Sequence, residues 1–258
     1  MKHIVPSPED QFPETFKSLW LAGPNTGLDS CAILLSRVPP GHKGPRLHVH
    51  AVDQFYFILK GRTHVQIGSE VFIAEPGTLV HFPAGVPHCN WNEDDDYEMH
   101  LEIMVPPPPP DQLISYHDGE PPVVANAAAL FTRVNFSQWN DRPFAIQHLA
   151  MRERGSQHIR IYCARVRPGA GVPTLHFHQF DQLYFILDGE FGIDIGLTKM
   201  TAGKHSLVVL PAGVVHANTN RSNADEIHLT LLVPEPQPGE QYDYKVEVQY
   251  ENGPAFTQ

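Results

Sequence analysis

A thirteen-residue stretch rich in histidine, aromatic and branched residues occurs twice in this chain. The first copy spans residues 48–60 and the second spans 176–188, so the offset between them is 128 residues (176 − 48). A second pair of matching segments, 82–88 and 210–216, has the same offset. A constant offset over about seventy positions indicates two copies of one folding unit, with no net insertion between the matched points.

The residue types in the longer segment predict a β-strand that carries metal ligands on one face. Tyr, Phe, Ile and Val dominate it, which favours a strand over a helix. Side chains in a strand alternate between two faces, so two histidines and one glutamine share a face in each copy. A third histidine follows a Pro-x-Gly turn in the shorter segment. The candidate ligands are His48, His50, Gln54 and His88 in the first copy, and His176, His178, Gln182 and His216 in the second.

Three imidazoles and one amide oxygen make a mononuclear metal site with positions left for water or substrate. Such a set accepts most divalent transition metals, so the sequence leaves open which of Fe, Ni, Mn, Co and Zn each copy binds. All four ligand types are present in both copies. Their survival favours metal binding over the alternative in which the units are scaffolds only. The intact segment around His88 slightly favours the first site as the catalytic one.

The two segments resemble the two sequence motifs of the cupin superfamily. The first motif is matched by Gly41, His48, His50, Gln54 and Gly61. The second is matched by Gly77, Pro83, Gly85, His88 and Asn92 in the first half, and by Pro211, Gly213, His216 and Asn220 in the second half. His205 stands where the second half would have its leading glycine. The resemblance implies an all-β bicupin with two tandem jelly-roll (double-stranded β-helix) barrels, in residues 1–110 and 131–258, joined by a linker at 111–130.

Both copies depart from the family in having glutamine, Gln54 and Gln182, where a ligand glutamate is usual. A neutral amide leaves a bound dication with more net charge and removes a carboxylate that could accept a proton. Cupin dioxygenases that use the ligand glutamate as a base would be impaired by this change. Cupins with three His and one Gln include non-redox isomerases, lyases and cyclases, among them a bicupin isomerase of the bacilysin pathway. The resemblance therefore favours Lewis-acid chemistry.

The resulting hypothesis is a metal-dependent enzyme that isomerises, cyclises or cleaves a small carbonyl or enol metabolite. Tyr56 and Tyr184 share the face of the ligands and are candidate catalytic acids or hydrogen-bond donors, although such tyrosines more often fill a barrel. Two alternatives stay open: an Fe(II)- or Ni(II)-dependent dioxygenase, which would consume O2, and a binding protein without chemistry. A storage role is weaker, because storage cupins commonly lose their metal histidines.

Composition argues against two classes of partner and leaves a small-molecule substrate, with or without a homodimeric assembly, as the expectation. The net charge of −11, with no basic cluster, argues against nucleic acid and against an anionic membrane surface. The first ten residues lack the apolar segment of a secretory signal, and no stretch reaches membrane-spanning length. Cys31, Cys89 and Cys163 have no CxxC spacing, so reduced, structural cysteines in a cytoplasmic protein are expected.

The face opposite the ligands is also apolar, which requires cover on both sides of the strand. The residues concerned are Phe55, Phe57 and Leu59, and Leu183, Phe185 and Leu187. The other barrel or a second chain, as in a homodimer, could supply the cover. Further expectations are an N-terminal arm at 1–30, a hairpin at 63–67 and 71–74, a helical turn at 126–130, a strand within 242–250, and solvent-facing or hydrogen-bonded roles for His100 and His228.

Overall fold

The structure is a computed structural model, which describes residues 2–109 and 111–248. Its first repeat contains β1 (Ile4–Val5), β2 (Lys17–Ala22), β3 (Ala32–Val38), β4 (His48–Val49), β5 (Asp53–Lys60), β6 (Thr63–Ile67), β7 (Glu70–Ala74), β8 (Thr78–Phe82), β9 (His88–Trp91), β10 (Glu98–Val105) and β11 (Ser115–Tyr116). The second repeat contains β12 (Phe131–Arg133), β13 (Phe144–Ala150), β14 (Arg160–Val166), β15 (Gly171–Phe177), β16 (Asp181–Asp188), β17 (Phe191–Ile195), β18 (Thr198–Ala202), β19 (Leu207–Leu210), β20 (His216–Thr219), β21 (Glu226–Val233) and β22 (Tyr244–Lys245). Short 3-10 helices lie at Glu9–Gln11, Pro24–Thr26, Ala127–Leu130 and Arg152–Arg154. Among the described residues, no helix is long and apolar enough to cross a membrane.

The strands form two barrels, and each barrel consists of a six-stranded and a five-stranded antiparallel sheet. The sheets of the first barrel have the orders β12-β8-β5-β10-β3-β2 and β11-β4-β9-β6-β7. Those of the second have the orders β1-β19-β16-β21-β14-β13 and β18-β17-β20-β15-β22. Strand for strand, the second barrel repeats the first. The predicted all-β architecture of two tandem barrels is thus confirmed.

The first strand of each repeat pairs with the barrel of the other repeat. Ile4 and Val5 of β1 lie opposite Val208 and Leu207 of the second barrel. The equivalent strand β12 pairs with β8 of the first barrel. The segment 1–30, expected as an arm leading into the first barrel, therefore contributes β1 to the second barrel and β2 to the first. The boundaries at 110 and 130 remain a sequence prediction, and strand pairing crosses them.

The histidine-bearing segment was predicted as one continuous strand, and this prediction was wrong. The chain leaves β4 after Val49 and enters β5 at Asp53, and these two strands belong to different sheets. The second repeat has the same break between β15 and β16. As a result, the histidines of one sheet face the glutamine of the other across the barrel interior.

The apolar faces that needed cover meet each other between the barrels. Phe55 and Phe57 of β5 belong to one buried cluster together with Leu183 and Phe185 of β16. Separate apolar clusters fill the inside of each barrel around Tyr56 and Tyr184. Of the two predicted sources of cover, the other barrel of the same chain therefore supplies it. The two barrels share one core between them.

Local predictions about turns and edges agree with the structure. The hairpin forms with Ile67 opposite Glu70, and its turn contains Gly68 at a positive φ of 56°, which glycine adopts without strain. The helical turn lies at Ala127–Leu130. The tail adds β22 to the sheet of β15, as expected, while residues 249 and 250 of the predicted strand lie outside the described residues.

Candidate metal centres

Three histidines converge in the interior of the first barrel. His48 on β4 lies directly opposite His88 on β9, and His50 follows in the turn towards β5. Their ring centroids are 4.5 to 5.3 Å apart, and their ligand nitrogens lie within 4.8 Å of one another. All three side chains are buried. This spacing suits three ligands of a single ion.

The second barrel repeats this arrangement closely. His176, His178 and His216 have ring centroids 4.4 to 5.1 Å apart, and their ligand nitrogens also lie within 4.8 Å of one another. They too are buried. The sequence repeat is thus a repeat of side-chain geometry as well.

The Pro-x-Gly turn places the third histidine of each set. In the first barrel the Gly85 N–H donates to the His50 carbonyl at 2.8 Å, and the Ala84 N–H donates to the Asp53 carboxylate at 3.0 Å. Gly85 has a φ of 79°, a left-handed conformation that favours glycine. The same bonds recur in the second barrel, from Gly213 to His178 and from Ala212 to Asp181. The turn of the second motif is therefore tied directly to the strand of the first.

Backbone carbonyls fix the tautomer of each of the six candidate ligand histidines. His48 Nδ1 lies 2.8 Å from the Arg46 carbonyl and His88 Nδ1 lies 2.9 Å from that of Val86, while His50 Nδ1 contacts the Leu113 carbonyl. A carbonyl oxygen can only accept, so each Nδ1 carries the proton and each Nε2 presents a lone pair. In the second barrel the accepting carbonyls, each 2.8 or 2.9 Å from its histidine, are those of Thr174, Tyr242 and Val214.

Burial favours the neutral form of five of the six imidazoles. It lowers the pKa of His48 and His178, lowers that of His88 well below its usual range, and lowers those of His50 and His216 to about 4. A neutral imidazole is the form that binds a metal ion. Protons therefore compete less with a metal ion for these five imidazoles than for an exposed histidine.

The polar atoms that face the centre of each site fit a bound cation. Gln54 Oε1 lies 2.8 Å from His88 Nε2, and both atoms are acceptors because Nδ1 holds the histidine proton. His50 Nε2 has no hydrogen-bond partner, and neither do Gln182 Oε1 and His216 Nε2 in the second barrel. Buried acceptors without a donor are costly, and a shared metal ion would satisfy all of them. The donor set of three imidazoles and an amide oxygen suits a divalent transition metal.

Glu102 on β10 is a residue of the first site that sequence analysis missed. Its Oε1 accepts a hydrogen bond of 2.5 Å from Gln54 Nε2, and its Oε2 accepts one of 3.2 Å from Ser36. Ser36 in turn is hydrogen-bonded to Ser18 at 2.7 Å, on the outer strand β2. Burial raises the pKa of the Glu102 carboxyl, although His100, Gln54 and Ser36 oppose this. The signal that could have found it is the break in the repeat, since the equivalent residue is Thr230.

The second site lacks this carboxylate and is surrounded by different side chains. Thr230 occupies the position of Glu102, Ala164 that of Ser36 and Tyr162 that of Leu34. Thr230 Oγ1 is buried without a hydrogen-bond partner. Arg160 on β14 and Gln182 on β16 lie opposite the same residue of the strand between them, Leu232 of β21. Arg160 is paired with the buried carboxylate of Glu235 at 3.0 Å. The two sites therefore have the same candidate ligands and differ in the residues that surround those ligands.

The two candidate catalytic tyrosines lie inside the barrels, close to the ligand rows. Tyr56 is directly opposite Glu102 across β5 and β10, and Tyr184 is opposite Thr230. Each is 5% exposed and packs against aromatic neighbours, Phe82 and His100 for Tyr56 and Phe191 and His228 for Tyr184. Burial raises the pKa of both hydroxyls well above the usual value, so each stays a donor at neutral pH.

His100 and His228, expected to be solvent-facing or hydrogen-bonded, are buried and hydrogen-bonded. Each donates from Nδ1 to a buried carboxylate two residues earlier, His100 to Glu98 at 2.8 Å and His228 to Glu226 at 2.9 Å. Burial lowers the pKa of His100, but the nearby carboxylates of Glu98 and Glu102 together leave the pKa raised. His100 lies two residues before Glu102 on β10, and His228 lies two residues before Thr230 on β21.

A cleft of about 430 Å³ lies between the barrels, away from both histidine sets. It is lined by charged residues such as Lys60, Asp188 and Lys204, and by apolar ones such as Phe136. None of the eight candidate ligands lines it. The metal centres are therefore properties of the barrel interiors and not of this cleft.

Comparisons with known proteins identify the domain and the fold. The model of the cupin domain family matches residues 34–106 and 163–233, which together make up more than half of the chain. No curated protein matches the chain. Among solved structures, a variant of salicylate 1,2-dioxygenase from Pseudoaminobacter salicylatoxidans in complex with gentisate is similar, with a TM-score of 0.69 and 13% identity, covering 87% of this chain and 77% of that one.

Two further structures are similar over the same share of this chain, 87%. One is a cupin 2 conserved barrel domain protein from Leptotrichia buccalis, with a TM-score of 0.63, 13% identity and 93% of that chain covered. The other is a variant of oxalate decarboxylase from B. subtilis, with a TM-score of 0.67, 12% identity and 74% of that chain covered. At these identities the likeness establishes a shared fold and leaves the activity open.

Proposed function

Because this chain belongs to the cupin domain family, which it matches twice, we propose that it is a metal-dependent enzyme with one divalent transition metal ion in each barrel. Its substrate is a small oxygenated metabolite with a carbonyl or enol group, and its reaction is a non-redox isomerisation, cyclisation or elimination. The observation that carries the proposal is the ligand set of each barrel. Three buried imidazoles present Nε2 lone pairs beside an amide oxygen, with no carboxylate among them.

The proposed ligands are His48, His50, Gln54 and His88 in the first barrel, and His176, His178, Gln182 and His216 in the second. A divalent ion held there supplies Lewis acidity, which lowers the pKa of a bound carbonyl compound. The surrounding apolar residues exclude water and strengthen the electrostatic interactions inside the barrel. Fe, Ni, Mn, Co and Zn all remain compatible with this donor set.

Proton movement in the first barrel is assigned to residues beside the ligands. Glu102 brings a carboxylate into the interior. This carboxylate can accept a proton, which the neutral amide of Gln54 cannot do. Ser36 and Ser18 continue the hydrogen bonds from Glu102 towards the outer strand. Tyr56, next to Glu102 in the strand row, remains protonated and donates a hydrogen bond to a substrate oxygen. Tyr184 has the same position in the second barrel, but without a carboxylate beside it.

A dioxygenase is the second candidate, and one observation favours it. One of the structures with a similar fold is a salicylate 1,2-dioxygenase with gentisate bound. The same three-His site with an open position could hold Fe(II) or Ni(II) and accept O2 beside a bidentate substrate. The ligand glutamine counts against a mechanism in which a ligand carboxylate acts as base. A binding protein without chemistry is the remaining alternative, and it requires neither O2 consumption nor proton exchange.

Hydrogen exchange and oxygen uptake distinguish these functions. Protein reconstituted with each of the five metals is incubated in D2O with a panel of 2-oxo acids, 1,3-dicarbonyl compounds and enols. We expect deuterium to enter a C–H position next to a carbonyl faster than in the protein-free control, without O2 uptake on an oxygen electrode. The control is a variant in which His50 and His178 are both alanine. Uptake of one O2 per product would establish the dioxygenase, and neither signal from any metal form would leave the binding protein.

The proposal also covers the surroundings in which the protein works. Cys31, Cys89 and Cys163 are free thiols, and burial raises the pKa of each. Such thiols suit a reducing cytoplasm. The partner is a small molecule. A homodimer would have to form through other parts of the surface, since the facing apolar surfaces of the two barrels already cover each other.

A further inference from the structure

We propose that Glu102 makes the two metal sites unequal, so that the first barrel binds a divalent ion more tightly than the second. The inference rests on the proposed metal binding and deepens it. The eight ligands are the same in type and spacing in both barrels. Any difference in affinity must therefore come from the residues behind the ligands.

Glu102 fixes the orientation of the ligand amide. A carboxylate can accept a hydrogen bond but cannot pair with a carbonyl oxygen, so it selects the orientation in which Gln54 Nε2 points to Glu102 and Oε1 points to His88. Ser36 holds the carboxylate from its other oxygen. The ligand oxygen is thus aimed at the ion before the ion arrives. Less conformational entropy is then lost on binding.

The same contact supplies charge. A carboxylate that accepts from an amide N–H polarises the amide and makes its oxygen a better donor to a cation. It also places a negative charge one side chain away from an ion that is otherwise bound by four neutral groups. In a buried site with a low effective dielectric constant, that charge is worth more than it would be in water.

The second site has neither contribution. Gln182 Oε1 has no hydrogen-bond partner, and the position equivalent to Glu102 is held by Thr230, which lies opposite Tyr184 and carries no charge. Arg160, which like Gln182 lies opposite Leu232, is a cation whose charge is offset by Glu235. One carboxylate does approach a ligand, since Asp243 lies 3.5 Å from His178 Nδ1, but it is about half exposed and solvent screens it.

The test compares two proteins that each retain one site. The first-site protein carries His176→Ala and His178→Ala, and the second-site protein carries His48→Ala and His50→Ala. Co²⁺ alone is the probe, and its affinity is measured by competition with a chromophoric chelator. Glu102→Gln then enters the first-site protein, where it removes the charge but keeps the side-chain volume. The matched control is Thr230→Val, the nearly isosteric change at the equivalent position of the second-site protein.

We expect the first-site protein to bind Co²⁺ about 10- to 100-fold more tightly than the second-site protein, the range typical of residues behind metal ligands. Glu102→Gln should remove most of that advantage, and Thr230→Val should leave affinity unchanged within about twofold. Equal affinities of the two single-site proteins, or no effect of Glu102→Gln, would overturn the inference and leave the metal-dependent function intact. Failure of both proteins to bind Co²⁺ would overturn the inference and the proposed function together.

Discussion

Replacement of His50 by alanine removes one metal ion per chain, and replacement of His50 and His178 together removes both, along with turnover. His50 supplies one of three imidazole donors to a buried site. Its Nε2 has no hydrogen-bond partner in the protein, so its lone pair is free to bind a metal ion. Loss of one of three protein imidazoles leaves too few donors to hold the ion against dilution. The measurement is metal content per chain by mass spectrometry after reconstitution and desalting.

The matched control for this prediction is His42→Ala. His42 is also a histidine in the first repeat, but it is exposed on the loop before β4, and its ring is hydrogen-bonded to the carbonyl of Pro40. We expect this variant to retain full metal content and activity. If His50→Ala kept its full metal content, or if His42→Ala lost as much metal as His50→Ala, the assignment of the ligands would be wrong.

Phe57→Ala should lower the free energy of unfolding by about 3–5 kcal/mol, the range for removal of a buried phenylalanine side chain. Phe57 is 1% exposed and lies in the cluster that joins the two barrels, together with Phe185 of the other repeat. The truncation removes the ring from a cluster built by both barrels and leaves unfilled space there. The measurement is the denaturant midpoint and slope of the metal-free protein.

The control for the core is Ile73→Ala, on the strand β7 at the edge of its sheet. Ile73 is 54% exposed, so its truncation should change stability by much less, on the order of 0.5 kcal/mol. A Phe57→Ala variant as stable as the wild type would mean that the two barrels do not share a core. In that case the apolar faces of β5 and β16 would have to be covered by another chain.

The convergence of the histidines was predictable because the repeat constrains it in two copies. A single histidine has many roles, but histidines at a fixed offset in two motifs point to one geometry, and the structure brings His48, His50 and His88 together. The apolar outer face of β5 was readable for a similar reason, since Phe55 and Phe57 alternate with the ligand row. The sequence left open whether the other barrel or a second chain covers this face, because that depends on how the barrels pack.

Other features depend on contacts that sequence periodicity does not encode. The exchanged strands β1 and β12 are two and three residues long, too short to give an alternating pattern. Glu102 was missed because both faces of β10 are buried, so alternation does not identify the face that points inward. The break between β4 and β5 was hidden because the hydrophobic pattern continues across it.

The most direct test of a metal-dependent bicupin is the metal content of the wild-type protein, purified without a metal-affinity column and then reconstituted with excess Co²⁺ before desalting. We predict two equivalents of Co²⁺ per chain, one for each set of three histidines. No bound metal in the purified protein, together with no uptake on reconstitution, would contradict the account.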